Sequence, residues 1–315
     1  MDISLDVEVA KALEDLGEAI AQGSLSEEVY ELSGNIIESV NAAEYSAWEW
    51  RWRCFMALDA KAGKEKGCLV EMERAMMRRV VTSSPKNYQL WNHRRKLAAY
   101  CAEHLGKVIG DVLATELEFT KACLEVDAKN YHAWGHRQAM LRAFGGLEDL
   151  VGEFAFVTAM LERDMMNNSA WSQRAFLMEL LATPAFQATG VRTWGQEFDE
   201  TIRWIERWVE NEASWAYLFF VLRSSSVGDV GQSRAIGVAY AAFLARMLKA
   251  HPTSVEAGEA ALKYYKQLWD REGDEGKREK LTDMMRMIRD RLVALDSRRT
   301  HRWDMNLVSG GGFRG

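Results

Sequence analysis

Proline is scarce in this 315-residue chain: Pro85, Pro184 and Pro252 are all there is. Proline removes a backbone donor and clashes with the preceding turn, so its rarity admits many helices joined by short connectors. Cysteine is sparse too. Cys54, Cys68, Cys101 and Cys123 form no CxxC pair. All four stand at helical positions, which predicts small buried apolar residues in a reducing compartment, not disulfides or a metal site. There is no β-strand alternation, GxGxxG, Walker A, nucleophile elbow or DDxxD pair, and the six histidines lack HExxH spacing. The chain therefore has no complete active site of its own. No apolar run approaches the length of a membrane span. The N-terminal MDISLDVEVA has neither a basic n-region nor an apolar h-region, and the terminal Phe313-Arg314-Gly315 is no lipidation motif. A cytoplasmic location without membrane insertion is the expectation. A net charge of −6 offers no basic surface for wrapping nucleic acid.

What the chain does have is a repeated phrase. PKNYQLWNHRR at 85–95 and AKNYHAWGHRQ at 128–138 are its clearest copies. YSAWEWR at 45–51, NSAWSQR at 168–174 and NEASWAYL at 211–218 are the others. The tryptophans Trp48, Trp91, Trp134, Trp171 and Trp215 follow one another at steps of 43, 43, 37 and 44 residues. A near-fixed period in this range predicts an all-α fold, an α–α superhelix or TPR-like solenoid of helical hairpins in which each copy buries its apolar face against the next. Asn stands four residues before Trp, as a helix N-cap should, and Arg usually follows three after it on the same face. The plain reading of Trp and Arg is packing, a large ring with a cationic fork beside it. Each leading helix carries the phrase, and each trailing helix carries an apolar stripe: Leu69, Met72, Met76 and Val80; Ile109, Leu113, Leu117 and Leu124; Leu147, Val151, Phe154 and Leu161; and Ile202, Ile205 and Val209 with Trp204 and Trp208. Helices near Val9–Ile20 and from Ser26 cap the N-terminal end; helices over 254–269 and 277–295 cap the other. The predicted solenoid thus runs over 1–296. A C-terminal segment follows over 297–315, in which Trp303 and Leu307 dock and SGGGFRG is a flexible tail.

Stacked hairpins align the N-termini of the leading helices along one edge, and each such terminus attracts anions through its free N–H groups and its dipole. Lys86, Asn87, Tyr88 and Gln89 occupy one terminus, and Lys129, Asn130, Tyr131 and His132 the next. Two cations, two phenols and an imidazole there suit a phosphate-rich ligand. A solvated lysine before an asparagine cap, with tyrosine as a hydrophobic staple, accounts for the same residues, and on the residues alone both readings stay open.

Over about residues 26–270 the ordered phrases resemble those of protein prenyltransferase α subunits. PKNYQLWNHRR, DAKNYHAWGHRQ, NNSAWSQR and NEASWAYL look most like the farnesyltransferase/geranylgeranyltransferase type I α subunit. The resemblance implies a heterodimer with a β subunit that is an α–α barrel. It transfers a farnesyl or geranylgeranyl group from the isoprenoid diphosphate to the cysteine of a protein's C-terminal CaaX motif. The implied zinc, and any magnesium, belongs to the β subunit, so this chain is expected to bind no cofactor and to be inactive alone. Residue by residue, Lys86, Tyr131 and His132 match catalytic positions at the diphosphate. Tyr88 matches an aromatic at the isoprenoid mouth, and Gln89 the glutamine that reads the CaaX carboxylate. Asn87 and Asn130 stand with them as substrate-binding candidates, while Lys129 matches no functional position. Glu44 replaces the first cap asparagine and Leu218 the fifth arginine, both away from that edge. The chain also starts just before the first hairpin, so the longer leading segment of some relatives is not expected. The alternatives are a Rab geranylgeranyltransferase α subunit and a non-catalytic helical-repeat scaffold.

Overall fold

The computed structural model describes residues 3–62, 67–106, 108–187, 189–225 and 230–308. All regular elements among these residues are helical, which is the predicted fold class. The chain divides into two compact units, Met1–Glu153 and Phe154–Gly315.

The first unit opens with α1 (Ile3–Ala21) and α2 (Glu27–Asn35), the latter capped by Ser26 and prolonged by a π-helical turn over Ile36–Val40. Next come α3 (Tyr45–Lys61), α4 (Cys68–Ser83), α5 (Tyr88–His104), α6 (Ile109–Val126) and α7 (Tyr131–Phe144). The division between units falls within α8 (Leu147–Arg163). The second unit continues through α9 (Asn168–Leu181), the single turn α10 (Pro184–Gln187), α11 (Trp194–Arg207), α12 (Glu212–Ser224) and α13 (Val230–Ala250). It closes with α14 (Val255–Arg271), α15 (Glu275–Leu295) and α16 (Thr300–Val308). Trp303 on α16 is buried and donates its indole N–H to Glu259 at 3.0 Å, which docks the C-terminal segment. The Leu307 side chain and the tail SGGGFRG lie outside the described residues.

The repeated phrase forms the same node in every copy. The Trp48 indole N–H donates to the Ala42 carbonyl, Trp91 to Pro85, Trp134 to Ala128, Trp171 to Met165 and Trp215 to Val209, always six residues back and at 2.6–3.0 Å. The cap asparagines work at both ends. Their oxygens accept helix N–H groups: Leu90 onto Asn87, His132 and Ala133 onto Asn130, Ser169 and Ala170 onto Asn167, and Ala213 onto Asn211. Their amide groups reach back one copy, Asn87 to the Ala42 carbonyl, Asn130 to Pro85 and Asn211 to Met165. One carbonyl thus serves the tryptophan of its own copy and the asparagine of the next.

The arginines make a second node with glutamates that the stripe reading missed. Arg51 pairs with Glu73 on α4, Arg94 with Glu116 on α6, Arg137 with Glu153 on α8 and Arg174 with Glu197 on α11, at 2.5–2.9 Å and buried on both sides. The next leading helix adds further donors, His93 to Glu73, His136 to Glu116 and Tyr217 to Glu197. Gly34 is needed beside Arg51, because a Cβ there would collide with the guanidinium that donates to the Tyr30 carbonyl. Burial opposes ionisation of Glu73, but the His93 hydrogen bond, Arg51 and Tyr30 hold its carboxyl down at about 2. Burial likewise opposes ionisation of Glu116, which the His136 hydrogen bond and Arg94 hold below the ordinary range. Burial pushes His136 down in turn, so a neutral ring donates to an ionised carboxylate.

The predicted stripes hold in part, with Met76, Val80, Leu113 and Leu124 buried, and the acids share the inner face where other stripe positions turn outward. Val70, Glu73, Met76, Met77 and Val80 face inward on α4, while the expected Met72 is 47% exposed. Ile109 and Val151 are exposed, and Val112, Leu113, Glu116, Leu150 and Glu153 take the inner positions. Trp208 is exposed as well. None of the four cysteines is in a disulfide, and Cys54 and Cys101 are buried as predicted. Cys68 is not, because it opens α4 at an exposed position, and Cys123 is half-buried.

Candidate functional site

In the first unit the leading helices begin with an exposed tyrosine each: Tyr45 at 68%, Tyr88 at 66% and Tyr131 at 65% exposure. Each tyrosine follows its cap residue directly, so its side chain leaves the helix at the terminus and not along the buried face. The termini of α5 and α7 are adjacent, because Asn130 at the start of α7 is hydrogen-bonded to the Pro85 carbonyl just before α5.

That bond brings the candidate residues together. The His132 ring lies 4.1 Å from Tyr131, 6.4 Å from Tyr88 in an edge-on arrangement, and 6.5 Å from Trp91 in a parallel one. Partial burial pushes His132 below the usual histidine range, and the positive charges of Arg95 and Lys86 push the same way, against a backbone interaction with Lys86. Lys86 is exposed, and its ammonium stands 3.6 Å from a carboxylate oxygen of Asp127. Gln89 is half-buried in the first turn of α5. Asn87 and Asn130 are at the site but have both ends of their amides committed to the fold, and Asn130 is fully buried. They hold the termini together. Lys129, at the position in α7's approach that Lys86 holds in α5's, is exposed.

Beside this cluster is a mostly apolar cavity of about 570 Å³, between α4 and α6, with Val81, Phe119, Ala122, Cys123 and Val126 in its walls. Pro85 and Asp127 line it too, so it borders the Lys86–Asp127 pair. Burial raises the Cys123 thiol to about 11, which keeps it protonated and unreactive at neutral pH. Among the described residues no group of three or more His, Cys, Asp or Glu side chains could hold a metal ion, and no helix is long and apolar enough to cross a membrane.

Adjacent termini that present a lysine, two phenols and a neutral imidazole can bind an anion with hydrogen-bond donors on more than one side. The repeats that build this edge match a known family model. Residues 70–101, 113–144 and 150–181 each match the protein prenyltransferase alpha subunit repeat. The chain carries protein prenyltransferase α-subunit repeats. In the family's frame the repeat starts on the trailing helix and ends on the leading one, so that Glu73 with Arg94, Glu116 with Arg137 and Glu153 with Arg174 fall within single repeats. The fold is similar to that of a chain in Candida albicans protein geranylgeranyltransferase-I complexed with GGPP, with a TM-score of 0.75 and 21% identity over 95% of this chain and 89% of that one. No curated protein matches the sequence.

Proposed function

We propose that this prenyltransferase α-subunit repeat protein is the α subunit of a heterodimeric protein farnesyltransferase or geranylgeranyltransferase type I, acting in the cytoplasm on proteins with a C-terminal CaaX motif. The observation that carries this reading is the convergence of Lys86, Tyr88, Gln89, Tyr131 and His132 on two adjacent helix termini within the family's repeats. The Candida neighbour is a geranylgeranyltransferase-I with GGPP bound, which favours the type I enzymes over the Rab enzyme as the family member to test first.

In the reaction the cysteine sulfur bonds to the first carbon of the isoprenoid while that carbon's bond to the diphosphate breaks. Negative charge builds on the departing diphosphate. Lys86 provides a compact cation for it, the helix termini of α5 and α7 provide fixed dipoles, and a neutral His132 can donate an N–H without a counter-ion. Tyr88 and Tyr131 flank His132 and offer phenol donors at the same place. Gln89, in the first turn of α5, presents an amide to the peptide carboxylate. A zinc ion held by the β subunit would lower the pKa of the substrate cysteine and so favour its thiolate.

Lys86→Ala in the complex purified through this chain should slow the chemical step by about 10²-fold, the order expected when one transition-state donor is lost. Single-turnover kinetics with farnesyl and geranylgeranyl diphosphate measures it. Lys129→Ala should leave the rate near wild type. Equal rates for Lys86→Ala and the parent would remove this site from the reaction.

A further inference from the structure

Lys86 is held by a partner that the proposed chemistry does not use. Asp127 lies at the end of α6, in the turn before Asn130, and its carboxylate is fixed in place. One oxygen accepts the Lys129 backbone N–H at 3.0 Å, and the other faces the Lys86 ammonium at 3.6 Å. The turns that carry the two residues are joined by the Asn130–Pro85 hydrogen bond, so neither backbone is free to drift from the other.

This pair contributes little to the fold. The Lys86 side chain is 61% exposed and that of Asp127 38%, and ion pairs so exposed give about 0–1 kcal/mol. The fold's own ion pairs are buried, and Arg94 is bonded to Glu116 through two of its nitrogens. What Asp127 does instead is set an anion at the ammonium before any ligand reaches it. A carboxylate beside a cation occupies the direction from which a phosphate oxygen would approach, so the two anions compete for one ammonium.

We propose that Asp127 is an internal counter-anion for Lys86, one that competes with the diphosphate for the ammonium and so limits retention of the inorganic diphosphate released by the reaction. This rests on the reading of Lys86 as the diphosphate contact. The pair then serves product release. Lys86 is available to a strongly charged, developing diphosphate, and Asp127 reclaims it afterwards.

The test is inorganic pyrophosphate binding, measured by calorimetry on the complex purified through the full-length chain. Four forms are compared: the parent, Asp127→Asn, Lys86→Ala and the double variant. Asparagine keeps the oxygen that accepts the Lys129 N–H, and a thermal midpoint for each form checks that the turn is intact. Asp127→Asn should tighten pyrophosphate about five- to tenfold, the order of one unit charge a few ångströms away in a solvated site. In the Lys86→Ala background that gain should vanish. A purely structural role for Asp127 predicts weaker binding, and weaker or unchanged binding overturns the proposal. A gain that persists without Lys86 overturns it as well, since simple repulsion would then suffice. If Lys86→Ala alone leaves pyrophosphate affinity unchanged, the reading of Lys86 fails and takes this proposal with it.

Discussion

The leading helices of the two units share a skeleton and differ in what hangs on it. In the first unit the residues five, three and two positions before tryptophan are Lys86, Tyr88 and Gln89 in one copy and Lys129, Tyr131 and His132 in the next. In the second unit the same positions hold Met166, Asn168 and Ser169, then Glu210, Glu212 and Ala213. The cap and the tryptophan between them persist throughout the last four copies, each with the hydrogen bonds described above. Positions that build the fold are thus separable from positions that meet a ligand, although they alternate along one turn of chain. The sign of the charge reverses as well. The cationic, aromatic edge belongs to the first unit, and the fifth copy presents acids. There Glu256 at the start of α14 is raised to about 7, first by burial and then by the neighbouring Glu210 and Glu259 carboxylates.

The fifth copy also shows what the arginine node is for. Leu218 stands where Arg would, and Tyr240, twenty-two residues on as Glu116 is from Arg94, stands where Glu would; both are fully buried. Two uncharged side chains hold these places, with the Tyr240 hydroxyl buried and without a hydrogen-bond partner among the described residues, and the comparison can be broken there. Glu116→Ala leaves Arg94 buried without its carboxylate and should cost about 3–5 kcal/mol, read as a shift of the denaturant midpoint. Arg94→Leu with Glu116→Tyr, copied from the fifth copy, should recover part of that loss, because it removes the stranded charge although His136 still loses its carboxylate. A double variant as unstable as Glu116→Ala would mean that the two copies are not equivalent.

The cap node gives a smaller effect. Ser254 caps α14 through its hydroxyl, donated to by Ala257, where earlier copies use asparagine. Asn130→Ser keeps a capping oxygen but loses the amide that reaches Pro85, and should cost about 1 kcal/mol. Asn130→Ala loses the cap as well, for about 1 kcal/mol more. Equal losses for the two would show that the reach-back bond carries all of the effect.

The smallest effect sharpens the difference in charge. Glu256 has a folded pKa above its unfolded one, so the folded chain binds more protons between pH 4.5 and about 7, and the stability linked to this group falls as pH rises through that window. Glu256→Gln should leave the thermal midpoint unchanged at pH 4.5 and raise stability at pH 8. Solvent screening at this partly exposed group limits the gain to about 1 kcal/mol. Glu73 in the first unit works the other way: its depressed carboxyl contributes above pH 4.5, and that contribution is lost as pH falls toward 2. Should Glu256→Gln instead lower the midpoint at pH 8, the acidic cluster would have to be a favourable network and not a site of repulsion.

The periodic side of this structure was legible in the sequence. Asn, Trp and Arg recur at fixed offsets, and a fixed offset on a helix is a fixed direction, so the caps, the rings and the adjacency of the α5 and α7 termini could all be predicted. The partners of those residues could not. Glu73, Glu116, Glu153 and Glu197 sit 22, 22, 16 and 23 residues after their arginines, because connector lengths vary, and a buried acid contradicts the rule that polar positions face water. That contradiction moved the expected stripe on α4 by about one residue, toward Leu69 and Met72. Asp127 was overlooked for another reason. In DAKN it reads as turn chemistry, which it also performs, and only the folded chain puts its second oxygen beside Lys86.

The reach-back bond has a consequence for how such a chain can change in length. Its acceptor is a backbone carbonyl, and the residues that supply it, Ala42, Pro85 and Met165, have nothing in common as side chains. The joint between neighbours is therefore blind to the identity of the neighbour. A whole module could be duplicated or deleted in register, and the asparagine downstream would still find a carbonyl of the right kind waiting for it. Ser254, with one polar side-chain atom where asparagine has two, takes the cap but has no amide to send back, and it marks the place where the run of interchangeable modules stops.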